Sequence, residues 1–171
     1  AEASLFALLL LWFRILDPDF GENDAANIFA LVLGIAVVLA LAIGRWSDRV
    51  SRPMVPLIGG AGAVVVGLLV MAFAPGLPVA IAGYVVFGLA SSIFLALHSS
   101  QTLRVLPRTH TRGRDLGIFN LTNTVPSLIM PWLTLALVPD YGFDALFLLL
   151  AGLATAAWLL LLTMPRRITN D

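Results

Sequence analysis

The side chains able to do chemistry in this chain are few, and they sit among residues that avoid water. Asn120, Asn123, Thr124 and Ser127, with Gly117 and Pro131, recur at intervals of three and four in an apolar stretch. At 100° per residue they share one face of a helix. Tyr84, Gly88, Ser91, Ser92, His98 and Ser99 make a second such face in the stretch before it. Together they offer hydroxyls, carboxamides and one imidazole. Such a set can hold a polar solute by neutral hydrogen bonds, and the imidazole can carry a proton near neutral pH. Other chemistries lack their parts. With no cysteine there is no thiolate ligand or nucleophile. His98 and His110 are too few and too far apart for a histidine metal site. No Gly-x-Ser-x-Gly, no His-Glu-x-x-His and no paired acids within an apolar run offers catalysis. The residues predict no enzyme, no metal and no cofactor.

Six apolar stretches must position these groups, at about residues 3–16, 25–43, 54–74, 78–100, 115–138 and 143–164. Apolar residues make up 60% of the chain and charged residues 12%, about half the charge of a water-soluble domain. Mean hydropathy is +0.97. A bilayer core about 30 Å thick needs roughly 20 helical residues. Stretches two to six reach that length. The first is shorter, and the simplest reading is a helix whose N-terminal end lies before Ala1. The expected fold is an all-α polytopic membrane protein: six transmembrane helices in one bundle over residues 1–171.

The charges sort by connection. Nine of the ten arginines, Arg45, Arg49, Arg52, Arg104, Arg108, Arg112, Arg114, Arg166 and Arg167, fall in the second and fourth connections or the C-terminal tail. Asp17, Asp19, Glu22, Asp24, Asp140 and Asp144 fall in the first and fifth. Basic loops stay in the cytoplasm. The alternation predicts a plasma-membrane protein with both termini cytoplasmic. Zero net charge says nothing about partners when charge is sorted across a membrane, but the basic loops are short, with no aromatic residue except Trp46, and give no support to nucleic-acid binding.

Local signals set the expected ends. Asn23 or Asp24 caps the second helix, and Gly44 ends it. Gly59-Ala63-Gly67 forms a small-residue ridge for close helix approach. Ala74-Pro-Gly-Leu-Pro78 is a tight turn, so helices three and four are antiparallel neighbours. Arg14, with Asp17 one turn later, reads as an ion pair at the outer rim or as a substrate contact. Helices four and five read as adjacent walls of one polar interior; two, three and six read as lipid-facing or supportive.

Each polar residue also has a plainer reading. Ser91, Ser92 and Thr124 can hold helices together, or bond their own preceding turn. Asn120 and Asn123 carry more donors and acceptors than a dry interface satisfies, which favours a cavity wall. His98 is a proton carrier or an ordinary interfacial histidine. The outer acids are a solvated loop, since one loop makes no octahedral cage for a cation.

The second connection, Gly44-x-x-x-Asp48-Arg49-x-Ser51-Arg52, resembles the cytoplasmic loop motif of the major facilitator superfamily, Gly-x-x-x-Asp-Arg/Lys-x-Gly-Arg/Lys-Arg/Lys. Ser51 and Pro53 depart from it. The fourth connection, with Arg108, then Arg112-Gly113-Arg114-Asp115 ahead of a polar helix, is also similar. The degenerate motif resembles that of the family's C-terminal six-helix half. The resemblance implies secondary transport of a small solute by alternating access, with a sugar or drug-like substrate; proton coupling stays open, and a proton-coupled member would hold its main carrier in the missing half. It implies a missing N-terminal six-helix half as partner. It makes Gly44, Asp48, Arg49, Arg52, Arg112 and Arg114 the gating group. Tyr84, Ser91, His98, Asn120, Asn123, Thr124 and Ser127 are then the candidate cavity wall. A six-helix structural or regulatory protein is the competing reading, and an intramembrane enzyme stands behind it.

Overall fold

The computed structural model describes residues 2–50, 54–105 and 112–163. Within those helices, the side chains of residues 2–7, 48, 50, 99–105, 112–116, 118–120, 122, 123 and 127 lie outside the description. The described chain is all helical: α1 (Glu2–Leu16), α2 (Glu22–Val50), α3 (Met54–Ala72), α4 (Leu77–Val105) and α5 (Arg112–Thr163). Four of these, α2 to α5, are long and apolar enough to cross a bilayer. The 15 residues of α1 reach only about 22 Å.

Helix ends follow from capping. Ala25 N–H donates to the Gly21 carbonyl at 3.2 Å, so α2 begins three residues earlier than its apolar run. Asp24 reaches back and accepts from Gly21 N–H at 3.1 Å. Its carboxylate, with Glu22, also meets the positive end of the helix dipole. At the other end Gly44 does not stop α2, which runs on to Val50. A glycine within a helix costs only about 1 kcal/mol. The turns beyond it stay amphipathic: Ser47 is buried at 4% exposure, while Arg45, Trp46 and Arg49 face outward. The stretch expected as a loop is therefore the tip of a helix. Likewise α4 runs to Val105, five residues past its expected end.

α3 is the hub, packed on α4 along one face and on α5 along another. Gly60, Gly67 and Met71 of α3 meet Phe94, Phe87 and Gly83 of α4. Steps of seven and four, rising on one helix and falling on the other, make an antiparallel seam. At Gly67 the backbones approach so closely that a Cβ would lie 2.6 Å from the Phe87 nitrogen. The expected ridge was rotated: Gly67 belongs to the seam, but Gly59 is exposed with nothing within 4 Å of a Cβ. On the α5 side, the Trp158 indole lies 3.2 Å from where a Gly62 Cβ would stand. Its Nε1–H donates to the Ile58 carbonyl at 3.0 Å, a second bond on an oxygen already in the helix ladder. Among the described residues the main packing of both α4 and α5 is on α3. The stripe of Asn120, Asn123 and Ser127 has its side chains outside the description, so the shared wall expected between the two helices lies outside the described residues.

α5 contains a break. Gly142 has φ 75° and ψ 176°, and the helix reverses there. Met130 before it and Leu150 after it line the same apolar cavity of about 30 Å³. On a straight helix those residues would stand roughly 30 Å apart. The segment after Gly142 supplies core residues Phe143, Leu146, Phe147 and Ala151. The segment before it is far more open, with Trp132 77% exposed. Leu31 and Val38 of α2 are 60% and 66% exposed. Such open apolar stripes suit lipid, not water.

The packing gives two tests on purified full-length protein. Gly67→Ala should lower the melting temperature clearly, since overpacking against backbone costs about 1–3 kcal/mol. Gly59→Ala should be neutral or slightly stabilising. Equal responses would contradict the seam. Gly142→Ala should cost about 1–3 kcal/mol from backbone strain alone, because no atom crowds the new Cβ. Gly142→Asn should not rescue it, as asparagine tolerates the left-handed helical well and not ψ near 180°. Chemical unfolding of both variants measures this.

Candidate functional site

The polar face of α4 is packed at Tyr84 and Gly88. Tyr84 is 4% exposed and belongs to the main apolar core. Its ring stacks on Phe29 of α2 at 6.3 Å and meets Phe13 of α1 edge-on at 6.1 Å. One turn on, Val32 of α2 stands 2.8 Å from where a Gly88 Cβ would lie. The first two turns of this stripe therefore form the α2–α4 contact. Ser91, the next turn, is part-buried. Its hydroxyl donates to the Phe87 carbonyl at 2.7 Å. The donor is spent within the helix, and the oxygen can still accept.

Three threonines behave alike. Thr134 donates to Met130 O at 2.9 Å, Thr155 to Ala151 O at 2.7 Å and Thr163 to Leu160 O at 2.9 Å. Each serves its own preceding turn, which makes it affordable in hydrocarbon without a partner helix. Thr124 is exposed. Asn120, Asn123 and Ser127 lie on α5 with side chains outside the description. His98 is half-buried near the end of α4, its ring stacked on Phe94 at 5.7 Å and 8°. The cluster of Leu57, Ile93 and Leu97 lies beside it.

The cavity lies where α1, α3, α4 and both segments of α5 meet. Its lining is apolar throughout, including Leu9, Met71, Phe87, Met130 and Phe147. It has room for about one water and nothing to hold it. It is a packing gap and not a solute site.

At the motif end of α2, Gly44 and Arg49 stand on the last two turns, with Arg49 exposed. The Asp48 side chain lies outside the description, as does Arg52 altogether. Arg112 and Arg114 open α5, their side chains likewise outside it. Ser47, between these motif positions, is buried, and the motif alone did not single it out. Its spacing of four from Ile43 and eleven from Ala36 puts it on the inward side of α2.

At the opposite end Arg14 pairs with Glu22 and not with Asp17. Its Nη2 lies 3.5 Å from Glu22 Oε1, and its Nε donates to Phe20 O at 3.3 Å. Asp17 instead accepts from Asp19 N–H at 3.1 Å and fixes the turn. The ion pair is exposed, worth about 0–1 kcal/mol, so it closes a short connection and adds little stability. Among the described residues no group of three or more acids and histidines could hold a metal ion.

The family described as the Major Facilitator Superfamily matches residues 3–170. The uncharacterized MFS-type transporter Rv1250 of Mycobacterium tuberculosis (strain ATCC 25618 / H37Rv) is 32% identical over 136 residues. That alignment covers 77% of this chain and 23% of the relative, so the chain spans less than a quarter of the protein it matches. No solved structure matches it. The match runs from α1 past the end of α5 and includes the motif on α2 and the broken, proline-bearing α5; the chain belongs to the major facilitator superfamily, a family of multi-pass membrane transporters.

Proposed function

We propose that the chain is the C-terminal six-helix half of a secondary transporter that moves a small solute by alternating access. The observation that carries this reading is the motif Gly44-x-x-x-Asp48-Arg49 at the tip of α2, in a chain matched to the family from residue 3 to 170. In the proposal α1 is the first crossing. The 40-residue apolar run Thr124–Thr163, twice what a bilayer needs, supplies the fifth and sixth crossings on either side of Gly142. Both ends of the chain are cytoplasmic, and the membrane is the plasma membrane.

The solute binds near the midplane, between this half and an N-terminal half. Asn120, Asn123, Thr124 and Ser127 contribute from α5, and Ser91 contributes an acceptor from α4. Sugar or drug-like solutes fit neutral hydrogen-bonding groups. His98 is the group of this half that can exchange a proton in coupling. Asp48 holds the cytoplasmic side closed. Asp48 stands at the negative end of its own helix, so the favourable partner is the N-terminus of another helix, where a carboxylate is favoured by up to about 2 kcal/mol in partly buried sites. That is enough to bias a two-state gate by more than tenfold.

Topology is tested by single cysteines and an impermeant thiol reagent; this chain has no native cysteine to interfere. Positions 49 and 112 should label from the cytoplasm, and 22 and 140 from outside. Labelling of 49 and 22 from one side ends the six-crossing reading. Asp48→Asn in the full-length transporter should slow uptake severalfold with little loss of folded protein, and should raise cytoplasmic accessibility of the cavity. Unchanged uptake and accessibility would leave Asp48 a helix-end residue without a gating role.

A further inference from the structure

The gating motif leaves Arg45 and Trp46 unused, and both are exposed. α2 has 29 residues, about 43 Å of helix. A bilayer core takes about 20 of them. The turns from Gly44 onward therefore stand at headgroup level. At 100° per residue Arg45, Trp46 and Arg49 lie within about 100° of arc. The same side of α2 continues through the core as Ala42, Val38, Ile35 and Leu31, all exposed. The inward side carries Val32, Ala36 and Ser47, all buried. The outer surface is thus an apolar rail that ends in two guanidinium groups and an indole. Among the described residues the ion pair is Arg14–Glu22, at the far end of the helix. Neither Arg45 nor Arg49 has an ion-pair partner there.

We propose that Arg45, Trp46 and Arg49 bind the headgroup phosphate of an anionic phospholipid whose acyl chain lies along Ala42, Val38 and Ile35. The two arginines are one turn apart, about 6 Å along the axis. A planar guanidinium binds phosphate oxygens in pairs. A headgroup with net negative charge leaves its phosphodiester free to meet both cations. Phosphatidylcholine brings its own cation and competes with them. The indole sits where tryptophan favours the interface, with its N–H toward the polar layer. The rail is what separates a lipid from a free anion, which has no use for an apolar track. The inference rests on the chain crossing a membrane and not on what is transported.

The test uses the full-length transporter purified in detergent. Binding of dioleoyl phosphatidylglycerol and of dioleoyl phosphatidylcholine is titrated by native mass spectrometry, with melting temperature read in parallel. Phosphatidylglycerol should bind about ten times more tightly. Arg45→Gln should weaken it about fivefold, the usual effect of one basic residue near an anionic surface. Arg45→Gln with Trp46→Ala should weaken it further, and Arg45→Lys should fall between wild type and Arg45→Gln, since the charge stays and the paired geometry is lost. Phosphatidylcholine binding should not change in any variant. Both side chains are exposed, so the lipid-free melting temperature should hold; if the double variant folds poorly, Arg45→Gln alone carries the test. Equal affinity for the two lipids overturns the proposal, as does phosphatidylglycerol affinity unchanged by Arg45→Gln. Displacement of phosphatidylglycerol by millimolar inorganic phosphate overturns it in favour of a free-anion site.

Discussion

The structure depends on how closely α3 and α4 can approach. Lipid gives no hydrophobic drive between apolar helices, so association rests on van der Waals contact and a few hydrogen bonds. Gly67 and Gly83 remove side chains from opposite ends of one contact, at Phe87 and Met71. Each glycine lets the other helix's backbone close in. That brings long rows of atoms within dispersion range, where many small terms add up. α2 then docks on α4 through Val32 at Gly88, and α5 docks on α3 through Trp158 at Gly62. Three interfaces of the bundle use a glycine opposite a large side chain or backbone. The layout is therefore a consequence of where glycine stands on α3 and α4.

Much of this was legible in the residues, and the failures have physical causes. Class, membrane character and family were readable because hydropathy, arginine placement and the α2 motif are local features. The small-residue surface of α3 was readable, but its facing was not. Gly59-Ala63-Gly67 and Gly60–Gly67 are both regular spacings, and choosing between them requires the partner's register. Gly44 looked like a helix stop because glycine and charge usually mark loops. Here the charges lie on the exposed side of a continuing helix, so nothing ends. Arg14 was matched to its sequence neighbour Asp17. The tight turn held by Asp17 and Phe20 instead swings Glu22 within reach. The Gly142 reversal falls where a connection was expected, between the stretches 115–138 and 143–164; its tightness was not legible, since one positive φ does what a loop does elsewhere.

The candidate site was the least legible part. A polar stripe records that a helix face is unlike lipid; it does not say what covers the face. On α4 the cover is α2, whose Phe29 and Val32 occupy the Tyr84–Gly88 surface. Small and aromatic residues served the close contact, and the polar appearance of that face came from Ser91 and His98 further along.

The hydroxyls sharpen where solute selectivity can reside. Ser91, Thr134, Thr155 and Thr163 each spend their donor on the preceding turn. A helix can therefore carry such residues through hydrocarbon whether or not a solute is near, and their presence implies no cavity. A carboxamide differs. It has two donors and an acceptor with two lone pairs, more than its own helix can satisfy. Asn120 and Asn123 thus need a polar surrounding to be stable in a membrane span: water, a partner helix or a solute. Positions where the fold cannot satisfy a side chain by itself are those where something else must. By that physical criterion the proposed solute contacts rest more on the two asparagines of α5 than on these four hydroxyls.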